Sequence, residues 1–169
     1  MIGLGDEHYR LAFCLANRPM IDHYPQLDHL QPLAAGELSH IVSNTSNHWR
    51  KVFNVFAKFL YQLCPTRRSR FADWQSYRDQ QLLQSGSGDA LLFSPPPITD
   101  SGGVIHIVAG KTYATQLGLE PLHWLDQHFA LHATAPLIVS PYLDYRQLSN
   151  ERIDRLVDLV AEVEARKQP

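Results

Sequence analysis

No stretch of this chain approaches the roughly 18 consecutive apolar residues of a membrane span, and its start, MIGLGDEHYR, lacks the basic and apolar regions of an export signal. Neither membrane insertion nor secretion is expected. Cysteine is scarce: Cys14 lies in an apolar run and Cys64 at the end of an expected helix, so no disulfide framework can form and both read as free thiols. The expectation is a soluble protein of a reducing, bacterial-type cytoplasm. A basic excess is missing too. The formal net charge of -2 argues against a generic polyanion binder, although local patches stay open. There is no G-x-S-x-G nucleophile motif, no cysteine in a catalytic context, no internal repeat and no low-complexity tract.

What is present is a chain of 169 residues, 44% hydrophobic, enough for one domain spanning residues 1–169 with a core of its own. Gly102 to Ala114, GGVIHIVAGKTYA, reads as a buried strand ending in a glycine turn that opens a helix. That is the grammar of an open α/β sheet, whose ligands sit beyond the carboxyl ends of the strands. Three further apolar runs, Tyr9–Ala16, Ala90–Ser94 and Pro136–Ser140, join Val104–Ala109 as expected strands. Helices are expected over Ala34–Val42, from Ser46 or Asn47 to about Leu63, over Phe71–Gln84, and from Ser149 or Asn150 onward. The long one keeps Trp49, Val52, Phe53, Phe56, Leu60 and Leu63 on one face. Its other face carries Arg50, Lys51, Asn54, Lys58 and Gln62, with Arg67, Arg68 and Arg70 just beyond, either a solvated face or a phosphate-facing patch. These elements predict an α/β fold with a mostly parallel sheet and helices on both faces.

Several motifs invite chemistry. Gly110-Lys111-Thr112 follows a strand, but Ile105 stands where a phosphate-wrapping loop needs its first glycine, which excludes a nucleotide-hydrolysing P-loop and leaves a simple anion site at the helix start or a plain strand-to-helix turn. His128 and His132 in LHWLDQHFALH would share a face if helical, yet no glutamate follows the first, so no zincin motif exists. No cofactor or metal site is read from the sequence. Asp22-His23-Tyr24 follows the first strand at the ligand edge, where a carboxylate and an imidazole can activate water. Tyr142, Asp144, Tyr145 and Arg146 follow the last strand and combine stacking surface with a guanidinium, a set that binds a base or phosphate.

With those elements in order, the chain resembles the uracil-DNA glycosylase superfamily. VAGKTYA, Val108 to Ala114, is similar to that superfamily's strand and W-G-x-x-A helix start. SPYLDYRQLSN, Ser140 to Asn150, is similar to its late loop, and Ser46-Asn47-His48-Trp49 to the start of the helix after its water-activating loop. The resemblance implies a three-layer α/β/α fold with a small, mostly parallel four-stranded sheet, uracil-DNA glycosylase-like. The functional motifs depart from it. The family's G-Q-D-P-Y falls on Ala16-Asn17-Arg18-Pro19-Met20, its uracil-reading asparagine on Ser94, and its H-P-S-P on Ile138-Val139-Ser140-Pro141. Standard uracil excision is not expected on that alignment; a shifted register would give catalysis to Asp22 or His23.

Two readings follow. In the first, the strand-end loops bind a nucleobase, nucleotide or nucleic acid through Asn17, Arg18, Ser94, Lys111, Tyr142 and Arg146, with Asp22 and His23 as the candidate catalytic pair. In the second, a non-enzymatic domain holds a protein partner or its own copy as a homodimer, with Trp49, Trp74 and Trp124 as anchors.

Overall fold

The computed structural model describes residues 1–98 and 103–166; Gly102, the first glycine of the strand-turn-helix motif, lies outside them. In chain order the elements are β1 (Gly3–Gly5), β2 (Leu11–Cys14), β3 (Leu30–Gln31), α1 (Glu37–Asn44), α2 (Asn47–Leu63), α3 (Pro65–Arg70) and α4 (Trp74–Gln80). There follow β4 (Asp89–Leu92), β5 (Ile105–Ala109), α5 (Lys111–Leu117), β6 (Leu122–Trp124), β7 (Ala130–His132), β8 (Leu137–Ser140) and α6 (Asn150–Arg166). Among the described residues no helix is long and apolar enough to cross a membrane.

The strands form one eight-stranded sheet in the order β3-β1-β4-β2-β5-β8-β7-β6. The four strands expected from sequence are its centre, β4-β2-β5-β8, and they pair in parallel throughout. The α/β class therefore holds. The small four-stranded, glycosylase-like sheet does not, because two short strands extend each side of that centre. β1 runs antiparallel to β4 with β3 parallel beside it, and β7 and β6 add an antiparallel hairpin to β8.

These outer strands carry little local signal. β1 is Gly-Leu-Gly, and glycine weakens a strand unless backbone must approach closely. Here it must: a Cβ on Gly5, whose φ is +137°, would stand 2.5 Å from the Asp89 carbonyl oxygen on β4. The segment carrying His128 and His132 is not a helix. Asp126 accepts the amides of His128 and Phe129 through one carboxylate oxygen, at 2.7 and 2.8 Å, and this turn folds the chain into the β6–β7 hairpin.

Alternation along the central strands sorts large from small side chains. Leu11, Phe13, Leu15, Leu91, Phe93, Ile105, Ile107 and Ile138 face a larger core shared with Ile41 of α1, the apolar side of α2, Tyr77 of α4 and Ile153, Leu156 and Val160 of α6. Ala12, Cys14, Ala90, Leu92, Val108, Leu137 and Val139 face the other side, where α5 supplies Ala114. A period of two placed on a parallel sheet gives both faces apolar burial, as helical cover on both sides requires.

The α2 helix buries Trp49, Val52, Phe53, Val55, Phe56, Ala57, Phe59 and Leu60, so its polar side is left for solvent. The helix expected over 71–84 is shorter. Asp73 caps α4 by accepting the Ser76 amide at 2.7 Å, and Arg67, Arg68 and Arg70 lie on α3. Arg67 turns inward: its Nη2 stands 2.6 Å from the buried Asp89 carboxylate, which also accepts the Tyr77 hydroxyl at 3.0 Å.

Candidate functional site

The carboxyl ends of β5 and β8 converge where Gly110 links β5 to α5. Its φ of +98° is open to glycine and strained for other residues, and its amide donates to the Ser140 carbonyl at 2.7 Å. Lys111 thereby emerges beside the loop that follows β8. Between them lies a cavity of about 240 Å³ lined by Gly110, Lys111, Gln127, His128, Ser140, Pro141, Tyr142, Arg146, Gln147 and Arg152. Lys111, Arg146 and Arg152 make three basic side chains in that lining, His128 adds an imidazole, and the described lining contains no carboxylate.

Tyr142 is the most constrained part of the wall. The imidazole of His48, in the first turn of α2, lies parallel to its ring within 16°, with centroids 5.5 Å apart. Nε2 of His48 and the Tyr142 hydroxyl are 2.7 Å apart, and Asn17 lies beside the same hydroxyl. Burial pushes the Tyr142 hydroxyl up to about 12. Burial also holds the His48 imidazole below its ordinary value, against the pull of Asp144 and with the help of Lys51. The pair is therefore neutral near pH 7, and Tyr142 forms part of the cavity lining.

The remaining cations are positioned by their neighbours. Lys111 places its ammonium 4.8 Å from the Trp124 ring centroid. Arg146 lies over Tyr145 at 5.5 Å, and its backbone amide donates to Asp144 at 2.8 Å. Arg152 donates to the Gln147 carbonyl at 2.7 Å, which holds its guanidinium at the rim. Such fixed cations beside an aromatic ring suit a ligand with a phosphate and a planar group.

Of the residues singled out in the sequence, Lys111, Tyr142 and Arg146 meet in this cavity, with Asn17 beside Tyr142. The others sit elsewhere. Arg18 spends its Nη1 on the carbonyls of Tyr24, Pro25 and Leu27, at 3.0 to 3.2 Å, while its guanidinium covers Phe93. Ser94 accepts the Ile2 amide at 3.0 Å and so ties the N-terminus to the end of β4. Asp22 pairs with His40 at 2.7 Å, and His23 contacts Gln31 at 2.8 Å, both at exposed positions. Asp22 and His23 thus have separate partners rather than each other.

Of the three tryptophans, Trp49 is buried, whereas Trp74 and Trp124 are partly exposed. Trp49 is 4% exposed and packs on Phe53 and Phe93. Trp74 has the cations of Lys58 and Arg78 within 5.1 and 5.3 Å of its ring centroid, and Trp124 has Lys111 within 4.8 Å. Among the described residues no three His, Cys, Asp or Glu side chains gather to hold a metal ion.

His48 and Arg152 were missed by sequence reasoning. His48 entered only as part of a helix start, and Arg152 belongs to a helix whose legible feature is its apolar stripe. His48 reaches the site through packing between elements distant in sequence, whereas Arg152 follows the loop after β8 by a few residues and bonds Gln147 locally.

No curated protein and no solved structure matches the chain. One family does, over residues 2–161, nearly the whole of the fold described above. The chain belongs to DUF6942, a family of unknown function.

Proposed function

We propose that this protein binds a nucleotide unit at the carboxyl ends of β5 and β8, with the phosphate on Lys111, Arg146 and Arg152 and the base against Tyr142. One observation carries the reading: a cavity of about 240 Å³ that is lined by cations and a braced aromatic ring, without a carboxylate. A chain of net charge -2 has enough acidic side chains to neutralise such a patch, and places none in its described lining. The size favours one phosphate with one planar group, since it lies below the roughly 300–1,000 Å³ of pockets that enclose whole drug-sized ligands.

From the glycosylase resemblance this reading keeps the position of the ligand beyond the strand ends. Binding, rather than base excision, is the activity proposed. Ile138, which falls where the family has its catalytic imidazole, is fully buried in the larger core. The separate pairings of Asp22 and His23 also provide no base held toward the cavity.

The test is calorimetric titration of the full chain with the four ribonucleoside monophosphates and with inorganic phosphate, in wild type and in Lys111→Ala, Arg146→Ala and Tyr142→Ala. Mononucleotide binding weakened about tenfold by either cation deletion is the expected result, a loss of about 1.4 kcal/mol. Tyr142→Ala is expected to reduce nucleotide binding more than phosphate binding. Absence of binding in wild type, or binding indifferent to all three substitutions, overturns the proposal. Base release from uracil-containing DNA that disappears in Asp22→Ala would replace it with catalysis.

A further inference from the structure

From Leu38 to Ala72 the chain contains no aspartate or glutamate, yet it carries Arg50, Lys51, Lys58, Arg67, Arg68 and Arg70. Only Arg67 among these is turned inward, onto Asp89. The apolar side of α2 is buried, so its remaining side carries Arg50, Asn54 and Lys58 at steps of four residues, one polar stripe in which Arg50 is exposed and Asn54 and Lys58 are half-buried.

Two further depressions lie along this stripe. One is lined by Arg50, Lys51, Asn54, Val55, Lys58 and Tyr145. The next is larger, about 420 Å³, and is lined by Lys58, Tyr61, Gln62, Arg68, Trp74, Asn150 and Ile153. They share Lys58. Tyr145 joins the first to the strand-end cavity, because Lys51 stands over its ring at 5.4 Å and Arg146, of the cavity wall, at 5.5 Å. The result is a continuous track of cations interrupted by aromatic rings, Tyr142, Tyr145 and Trp74.

We propose that a single-stranded nucleic acid binds along this track, leaving the strand-end cavity and following α2 to Trp74. The inference rests on the nucleotide-binding reading for where the strand begins, and extends it to the class of ligand. Between Arg50 and Gln62 the helix rises about 18 Å, room for several nucleotides in addition to the one in the cavity.

Charge complementarity identifies a polyanion, and the rings choose among polyanions. Tyr145 is 50% exposed, and Trp74 is flanked by Lys58 at 5.1 Å and Arg78 at 5.3 Å. Bases of a single strand can stack on such rings while its phosphates meet the cations; a duplex keeps its bases inside. An anionic membrane is disfavoured because α2 buries its apolar side in the core and has none left to insert. Carboxylates border the track without lining its depressions: Asp144 lies 3.9 Å from Lys51, Asp79 pairs with Arg78, and Asp154 accepts from Gln62.

The experiment is fluorescence anisotropy of labelled dT12, rU12, a 12-base-pair duplex and a polyglutamate peptide, across a salt series, with wild type, Arg50→Glu/Lys58→Glu and Trp74→Ala. Arg68→Glu serves as an independent variant on α3, and thermal unfolding confirms that each variant is folded. The expected result is that dT12 or rU12 binds at least about tenfold tighter than the duplex or the peptide. The double charge reversal should lower that affinity by about tenfold or more and, because two phosphates of the strand then go unneutralised, reduce the salt slope by about 1.4. Comparing dT12 with rU12 assigns the strand to DNA or RNA. Mononucleotide binding at the cavity is expected to survive all track substitutions.

If mononucleotides bind but oligonucleotides bind no tighter and ignore the track variants, this inference fails while the nucleotide site stands. If oligonucleotides bind through Lys58 and Arg68 while mononucleotides do not bind, the track stands and the cavity reading fails. Equal or tighter binding of the duplex or the peptide overturns the single-strand assignment.

Discussion

His48 and Tyr142, 94 positions apart, stack nearly parallel and bring Nε2 to 2.7 Å from the tyrosine hydroxyl, joining the start of α2 to the loop after β8. The contact braces one wall of the cavity on the core helix. His48→Ala is expected to cost about 1 kcal/mol of stability, within the range of an aromatic pair, and to weaken nucleotide binding by releasing Tyr142. Tyr142→Phe keeps the ring and loses the hydrogen bond, so it should cost a similar amount with a smaller effect on binding. Urea unfolding and nucleotide titration of the two variants separate the effects.

Stability should depend on pH through the same residue. Burial lowers the folded-state value of His48 below 6.5, so the unfolded chain takes up this proton first as pH falls. The stability that neutral His48 contributes is fully present above pH 6.5 and is lost as pH falls toward its lowered value. The stability advantage of wild type over His48→Gln should therefore shrink between pH 7.5 and pH 5. An advantage that stays constant or grows on acidification contradicts the assignment.

Arg18 is expected to act on stability and not on ligand. Its Nη1 gathers three backbone carbonyls between Tyr24 and Leu27. Arg18→Met preserves much of the cover over Phe93 but leaves those carbonyls without their charged donor, a cost of about 1–3 kcal/mol. Thermal unfolding should show the loss, with mononucleotide affinity within about twofold of wild type.

The buried pair beneath α3 is more sensitive. Asp89→Ala leaves the Arg67 guanidinium, whose side chain is 14% exposed, without its carboxylate and leaves the Tyr77 hydroxyl without its acceptor. A loss of about 3–5 kcal/mol is expected from chemical denaturation. The double variant Asp89→Ala/Arg67→Met should recover part of it, since no unpaired charge then remains buried.

Gly5→Ala probes the antiparallel extension of the sheet. The added Cβ meets the Asp89 carbonyl at 2.5 Å and the Ala90 Cα at 2.6 Å, both backbone atoms of β4. A loss of at least about 2 kcal/mol is expected, with the amides of β1 exchanging faster with solvent than those of β5.

Much of this fold was legible without coordinates. The four central strands are continuous apolar runs, α2 and α6 announce themselves by helical spacing, and Gly110 marks the turn from β5 to α5. Such features are local, arising from side-chain period, capping and the conformational freedom of glycine, so the order of residues determines them. Lys111, Tyr142 and Arg146 were likewise visible as residues that follow strand ends. The sequence did not show the outer strands. β1, β3, β6 and β7 are two or three residues long and become strands only through hydrogen bonds to neighbours remote in the chain. Nor did it show that Arg18 serves a loop, that Asp22 pairs with His40, or that His48 braces Tyr142. Those partnerships are decided by which surfaces the packed helices and sheet bring within hydrogen-bonding distance, a tertiary fact with no period along the chain.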